Sequence, residues 1–315
     1  MTAIKAARAF TGRPKIAKCE GAYHGTYDYA EVSLDSPARE ASQVWPASIP
    51  YAVGTPRGVT DDVVTLPFND IDSSVAILRA HSAGLAGILI DPMPNRVGLV
   101  PADRGYVQAM RQVASEIGAL LIFDEVIAFR LGFNGAQKMW GVDADLTTFG
   151  KIIGGGFPVG AVGGSRDVMA VFDPTSGKPP VPHGGTFSAN PMTMVAGLKT
   201  MQLLDPPAFE KLARLGSRIR TGFDEAFLRA RIEGRTTGMG SLLKIHFTTR
   251  AIRDYQTAIP DPAAARRMTQ LMTGLLNEGV LIAPNGLLAL STPMSDADAG
   301  EVIRAFERTL SKLDR

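Results

Sequence analysis

The sequence predicts an α/β fold: a mostly parallel sheet with helices on both faces, followed by a smaller α+β unit. Three observations predict it. "AGILID" (86–91) and "ALLIFDEV" (119–126) are continuous apolar runs of strand length, as strands buried on both faces require. Helical patterns separate these runs, the order that builds a parallel sheet. From about residue 206 the alternation gives way to long helices around a glycine-rich pair of strands. The expected division is 1–205 for the large domain and 206–315 for the small one.

The elements follow in order. "MTAIKAARAFTGRPKI" reads as a helix stopped by Gly12, with Pro14 just beyond. It has an end signal and no firm start signal, Thr2 being a weak cap. "KIAKCE" (15–20) is a strand. Residues 32–60 are rich in Pro, Gly and Ser and read as loop, with turns at Ser36-Pro37 and Gly54-Thr55-Pro56. "IDSSVAILRAHSA" (71–83) is helical, and "ADRGYVQAMRQVASEIG" (102–118) is an amphipathic helix closed by Gly118. "DLTTFG" (145–150) is another strand. A helix at 207–229 leads to "GRTTGMGSLLKIHF", read as two strands. Met268, Leu271, Met272, Leu275 and Leu276 form one stripe of a helix capped by Asp261, opened by Pro262 and ended by Gly279. "SDAD" (295–298) is a capping box before a last helix carrying Ile303 and Phe306.

Composition narrows the function classes. The 315 residues are 45% hydrophobic, enough for a substantial core. Thirty-three basic residues against 31 acidic ones give no reason to expect nucleic acid or an acidic membrane as partner. Cys19 is the single cysteine, which excludes an internal disulfide and fits a reducing compartment. No apolar run reaches the roughly 18–20 residues of a membrane span, and "MTAIKAARAF" lacks a signal-peptide core. The expectation is a soluble cytoplasmic protein.

"TTFGKIIGGG" (147–156) raises the functional question. A lysine taken alone is a solvated charge. A phosphate loop is excluded by order, because the glycine run follows Lys151 instead of leading to it. Gly154, Gly156 and Gly160 fit a dinucleotide fingerprint only with the wrong final spacing, so a nucleotide-dependent oxidoreductase is a remote reading. A Schiff-base lysine remains. It needs a neutral amine, which the apolar flanks Phe149, Ile152 and Ile153 would favour by desolvation. The glycines would let backbone approach a flat cofactor.

A pyridoxal cofactor makes further demands. Its ring nitrogen needs a carboxylate, and Asp124 ends a strand at the edge where open α/β sheets bind ligands. Strand alternation turns Glu125 away and returns Val126 to the Asp124 face. Tyr23 and His24 lie on a loop framed by Gly21 and Gly25, placing a ring for stacking and an imidazole for contact with cofactor or substrate. Thr186 follows two glycines in "HGGTFSANPM", where backbone and hydroxyl can bind phosphate. The bland readings are a turn cap for Asp124, a core-packed aromatic for Tyr23 and a capped turn before a helix near Asn190 for Thr186.

Taken together, "EGAYHG", "LLIFDEV", "DLTTFGKIIGGGFPVGAVGG" and "HGGTFSANPMTMVAG" resemble the class III pyridoxal-phosphate aminotransferases. The likeness is to the branch with glutamate-1-semialdehyde aminomutase and the β-amino-acid aminotransferases. It implies the type I fold of pyridoxal-phosphate enzymes, with pyridoxal 5'-phosphate linked to Lys151, which later shuttles a proton. It implies Asp124 on the pyridinium nitrogen, Tyr23 and Val126 on the ring faces, and His24 beside the cofactor. Thr186 would bind the phosphate of a cofactor held mainly by a neighbouring subunit, in a homodimer with shared active sites. The resemblance also implies a phosphate-binding serine/glycine/threonine turn and further residues before the first helix. Neither is in this sequence, so tight cofactor binding and turnover are expected only with such a segment restored. Asp91 stands where the family commonly has glutamate, and "APNGLLALSTPM" shows no clear family substrate motif. The alternative expectation is a non-catalytic interaction partner of the same fold.

Overall fold

The computed structural model describes residues 1–40 and 44–313; residues 41–43 of the expected 32–60 loop lie outside the described residues. The chain runs α1 (Thr2–Thr11), β1 (Lys15–Cys19), α2 (Asp28–Glu31), α3 (Arg57–Asp61), β2 (Val63–Leu66), α4 (Ile71–Ala80) and β3 (Leu85–Ile90). It continues through α5 (Arg104–Ile117), β4 (Leu120–Asp124), α6 (Gly135–Trp140), β5 (Leu146–Gly150), β6 (Gly160–Gly164), α7 (Arg166–Met169) and α8 (Pro191–Leu203). These strands form one sheet in the order β2-β1-β3-β4-β5-β6. β1 to β5 are parallel and β6 closes the edge antiparallel to β5.

Every residue of β3 and β4 is buried, as their unbroken apolar runs require. Leu121 and Phe123 enter the core that includes Tyr106, Val107 and Met110 of α5. Leu120 and Ile122 face the opposite core, with Ile4 and Ala7 of α1 and Val168 of α7. Gly12 closes α1 at φ 67 and Gly118 closes α5 at φ 68, as left-handed helix ends. β2 and β6 escape the sequence pattern. β2 is four residues long and directly follows α3, a short helix that begins inside the stretch expected to be loop, and β6 is mostly glycine.

The remaining elements are α9 (Pro206–Ala230), β7 (Arg235–Thr237), β8 (Leu242–His246), α10 (Tyr255–Ala258), α11 (Pro262–Asn277), β9 (Leu287–Ala289) and α12 (Asp296–Leu310). β7, β8 and β9 form a separate antiparallel sheet with its own core. The expected pair of strands is thus a triplet, because the short β9 pairs with β8. Phe223 of α9 stacks on Phe306 of α12 at 4.0 Å between ring centroids. Asp261 caps α11 by accepting from the Ala264 N–H at 2.8 Å, and Ser295 and Asp298 form a reciprocal capping box for α12. Leu271 and Leu275 are buried while Leu276 is exposed, so the apolar stripe of α11 is narrower than its sequence suggests.

His246 of β8 is buried, with Nε2 3.1 Å from the Gly98 carbonyl oxygen. Burial, reinforced by the Lys244 charge, pulls its pKa from 6.5 to about 4. The unfolded chain therefore takes up this proton first as pH falls. The neutral ring contributes about 3 kcal/mol that is fully present above pH 6.5 and is lost between pH 6.5 and about 4. Urea titrations at neutral pH and near the lower limit should show that loss, and His246→Gln should shrink the difference between the two conditions by about that amount, the remainder belonging to groups shifted in the same sense such as His24.

Candidate active site

Four parallel strands deliver their following residues to one edge of the sheet. β1 leads to Tyr23 and His24, β3 to Asp91, β4 to Asp124 and Val126, and β5 to Lys151. All six line one cavity of about 680 Å³, together with Met1, Thr2 and Ala3 at the start of α1. This is the carboxyl-end crevice where open α/β sheets hold ligands.

Asp124 is the most tightly held group. His24 Nδ1 lies 2.7 Å from its Oδ2, while the Val126 N–H and the Thr148 hydroxyl donate to Oδ1, both at 3.0 Å. Thr148 is the register partner of Asp124 on β5. Burial alone would raise the Asp124 carboxyl, but these hydrogen bonds hold it below the ordinary carboxylate range. Burial pushes the His24 ring down despite its carboxylate neighbour, so the ring is neutral and donates through Nδ1. Its Nε2 is then a buried acceptor with no partner among the described residues. Asp91 behaves oppositely: burial and the nearby Asp124 charge raise it well above the usual range. The Met93 N–H donates to its Oδ1 at 2.8 Å. The cavity therefore holds two carboxyls pushed in opposite directions, Asp124 toward the anion and Asp91 toward the protonated form.

Lys151 opens a 3₁₀ turn, Lys151–Gly154, with φ 50. A non-glycine residue in the left-handed region is uncommon, and such outliers concentrate at functional sites. Lys151 is exposed, so the desolvated setting expected from its flanks is not what the fold provides. Phe149 lines the cavity, but Ile152 turns away and packs against the core of the second sheet. The glycines also have a different use. An added Cβ on Gly155, at φ 59, would lie 2.3 Å from the Ala196 carbonyl oxygen of α8. The run thus lets the turn seat against a helix, and Gly156 alone of the three is open. Gly155→Ala combines backbone strain with overpacking and should destabilise by about 2–5 kcal/mol, read from urea midpoints. Gly156→Ala should cost less.

Tyr23 is 45% exposed and stands at the cavity wall. Glu125 is buried and caps α6, accepting from the Ala136 N–H at 2.6 Å and the Gln137 N–H at 3.2 Å. Thr186 is exposed and does not line this cavity. Thr148 and His183 are wall residues that the sequence reading passed over; the pairing of β4 with β5 was the available signal for Thr148.

The aminotransferase class-III family pattern matches residues 1–310. The chain belongs to that family. It is 34% identical over 318 residues to a glutamate-1-semialdehyde 2,1-aminomutase of Bacillus subtilis, covering 100% of this chain and 71% of that protein. An omega-transaminase from Sphaerobacter thermophilus superposes with a TM-score of 0.96 at 48% identity, over 98% of this chain and 71% of that one. A β-phenylalanine aminotransferase from Variovorax paradoxus gives 0.82 at 34% identity, over 98% and 66%. This class III chain has the fold of pyridoxal-phosphate transaminases. It is a pyridoxal-phosphate-dependent aminotransferase or aminomutase. The site fits that cofactor: a charged carboxylate for a protonated ring nitrogen, an exposed primary amine, and a cavity of sufficient size.

Proposed function

We propose that the chain transfers amino groups between separate donor and acceptor molecules, on substrates of the omega or β-amino type, with Lys151 and Asp124 as its central residues. The observation that carries this reading is the shared cavity, in which an amine and a carboxylate held anionic face one volume. Pyridoxal phosphate, when bound, supplies an electron-withdrawing ring that stabilises negative charge beside the transferred nitrogen. Lys151 Nζ would hold the cofactor covalently and would move a proton at the substrate carbon. Asp124 keeps the ring nitrogen protonated, and His24 fixes the carboxylate from behind. Tyr23 and Val126, both on the cavity wall, would contact the ring. The first turn of α1, with its free backbone N–H groups and positive dipole end at the cavity, attracts the phosphate.

Thr186 serves the cofactor phosphate of a second copy in this proposal, which requires a homodimer. Support comes from Phe187 and from Met192, Val195 and Leu198 of α8, a run of exposed apolar residues next to Thr186. Among the described residues no helix is long and apolar enough to cross a membrane. We also assign residues 1–205 and 206–315 to two domains, on their separate sheets, and the protein to the cytoplasm, on its single cysteine.

Transfer is preferred to an intramolecular amino shift because the omega-transaminase is 48% identical and the aminomutase 34%. The test is a cofactor-supplemented assay of β-phenylalanine and glutamate-1-semialdehyde, each with and without a keto-acid acceptor. Acceptor-dependent consumption of β-phenylalanine is the expected result. Isomerisation of the semialdehyde alone, with no need for acceptor, would overturn the proposal.

A further inference from the structure

A second cavity, of about 500 Å³, shares no wall residue with the active site. It lies at the seam of the two sheets, with Asp35 and Arg96 on one side and Lys244, Phe247, Arg250 and Met268 on the other. Its charges do not cancel. Arg96 is spent on Asp35, at 2.5 Å. Lys244 is only 8% exposed and meets two neutral acceptors, the Asn95 carbonyl oxygen at 2.7 Å and Asn95 Oδ1 at 3.2 Å. An ammonium has three donors, so one remains. Among the described residues neither Lys244 nor Arg250 forms an ion pair; Asp261 acts on Arg250 only at longer range. A buried cation without a counter-charge is costly. Burial and the neighbouring Arg96 accordingly pull the Lys244 amine down to about 8.

We propose that this cavity binds a small organic carboxylate, its anionic end between Lys244 and Arg250 and its apolar body against Phe247 and Met268. A single negative charge suits the site better than a phosphate dianion, because Asp35 and Asp261 also line it. The apolar wall gives the rest of the molecule a partner that an inorganic anion would leave uncovered. A ligand there would touch both sheets' units and tie them together.

The test is calorimetric titration of the cofactor-saturated protein with 3-phenylpropionate, its neutral amide and inorganic phosphate. The carboxylate should bind, with affinity about tenfold or more weaker in Lys244→Met. Arg250 is exposed, so Arg250→Ala provides a second variant with little risk to folding, and it should weaken binding in the same direction. Amide and phosphate should each bind at least about tenfold more weakly than the carboxylate. No binding, or unchanged affinity in both variants, would overturn the site. Equal affinity for phosphate or the amide would overturn the ligand class.

Discussion

Asp124→Asn should lower turnover on the order of 10²-fold or more, with little loss of folded protein. The amide has nearly the carboxylate's shape, so the Val126 N–H and Thr148 hydroxyl keep an acceptor at about their present 3.0 Å. What is removed is the charge. A protonated ring nitrogen facing a neutral amide gives up its proton more readily, and the cofactor then withdraws electrons less well. His24 would also have to change tautomer, because its Nδ1–H meets Oδ2 at 2.7 Å and the amide nitrogen that replaces this oxygen is a donor. Steady-state kinetics and a denaturant midpoint on the same preparation separate the two effects. Unchanged turnover would remove Asp124 from the catalytic account, and equal loss of stability and activity would reduce it to a structural role.

Lys151→Ala should have the larger effect, about 10⁴-fold or more on turnover, since in the proposed reading one side chain supplies both the covalent hold and the proton carrier. Folding should survive. Lys151 is exposed, and the turn that carries it is seated through Gly155 and α8, so truncation removes little packing. Alanine at φ 50 retains the existing backbone strain without adding to it. Added primary amines should restore part of the proton-transfer component. Turnover within about tenfold of the parent chain would show that another group does this work.

Much of the site was legible because a parallel sheet sends its strand ends to one edge. Identifying "KIAKCE", "ALLIFDEV" and "DLTTFG" as strands already places His24, Asp124 and Lys151 within reach of one another. Alternation along β4 separates Asp124 and Val126, at the cavity, from Glu125, which turns away to accept from the first N–H groups of α6. The failures have a common cause, which is packing between segments far apart in sequence. Nothing local to "KIIGGG" reveals that α8 presses on Gly155 or that Ile152 joins the second core. The upward push on Asp91 depends on burial beside Asp124, two strand ends brought together only by the fold. The seam at Lys244 depends likewise on Asn95, 149 residues earlier in the chain. Short strands such as β9 carry too few residues to show a period, and pairing with β8 decides their conformation.

The central claim, that Lys151 is the residue to which the cofactor is joined, is tested most directly by chemical fixation. The chain is incubated with pyridoxal phosphate, reduced with borohydride, digested and mapped by mass spectrometry. A stable cofactor adduct on the peptide containing Lys151, reduced or absent in Asp124→Asn and lost in Lys151→Ala, is the predicted result. An adduct carried chiefly by Lys138, on α6, or by Lys178, which does not line the cavity, would contradict it.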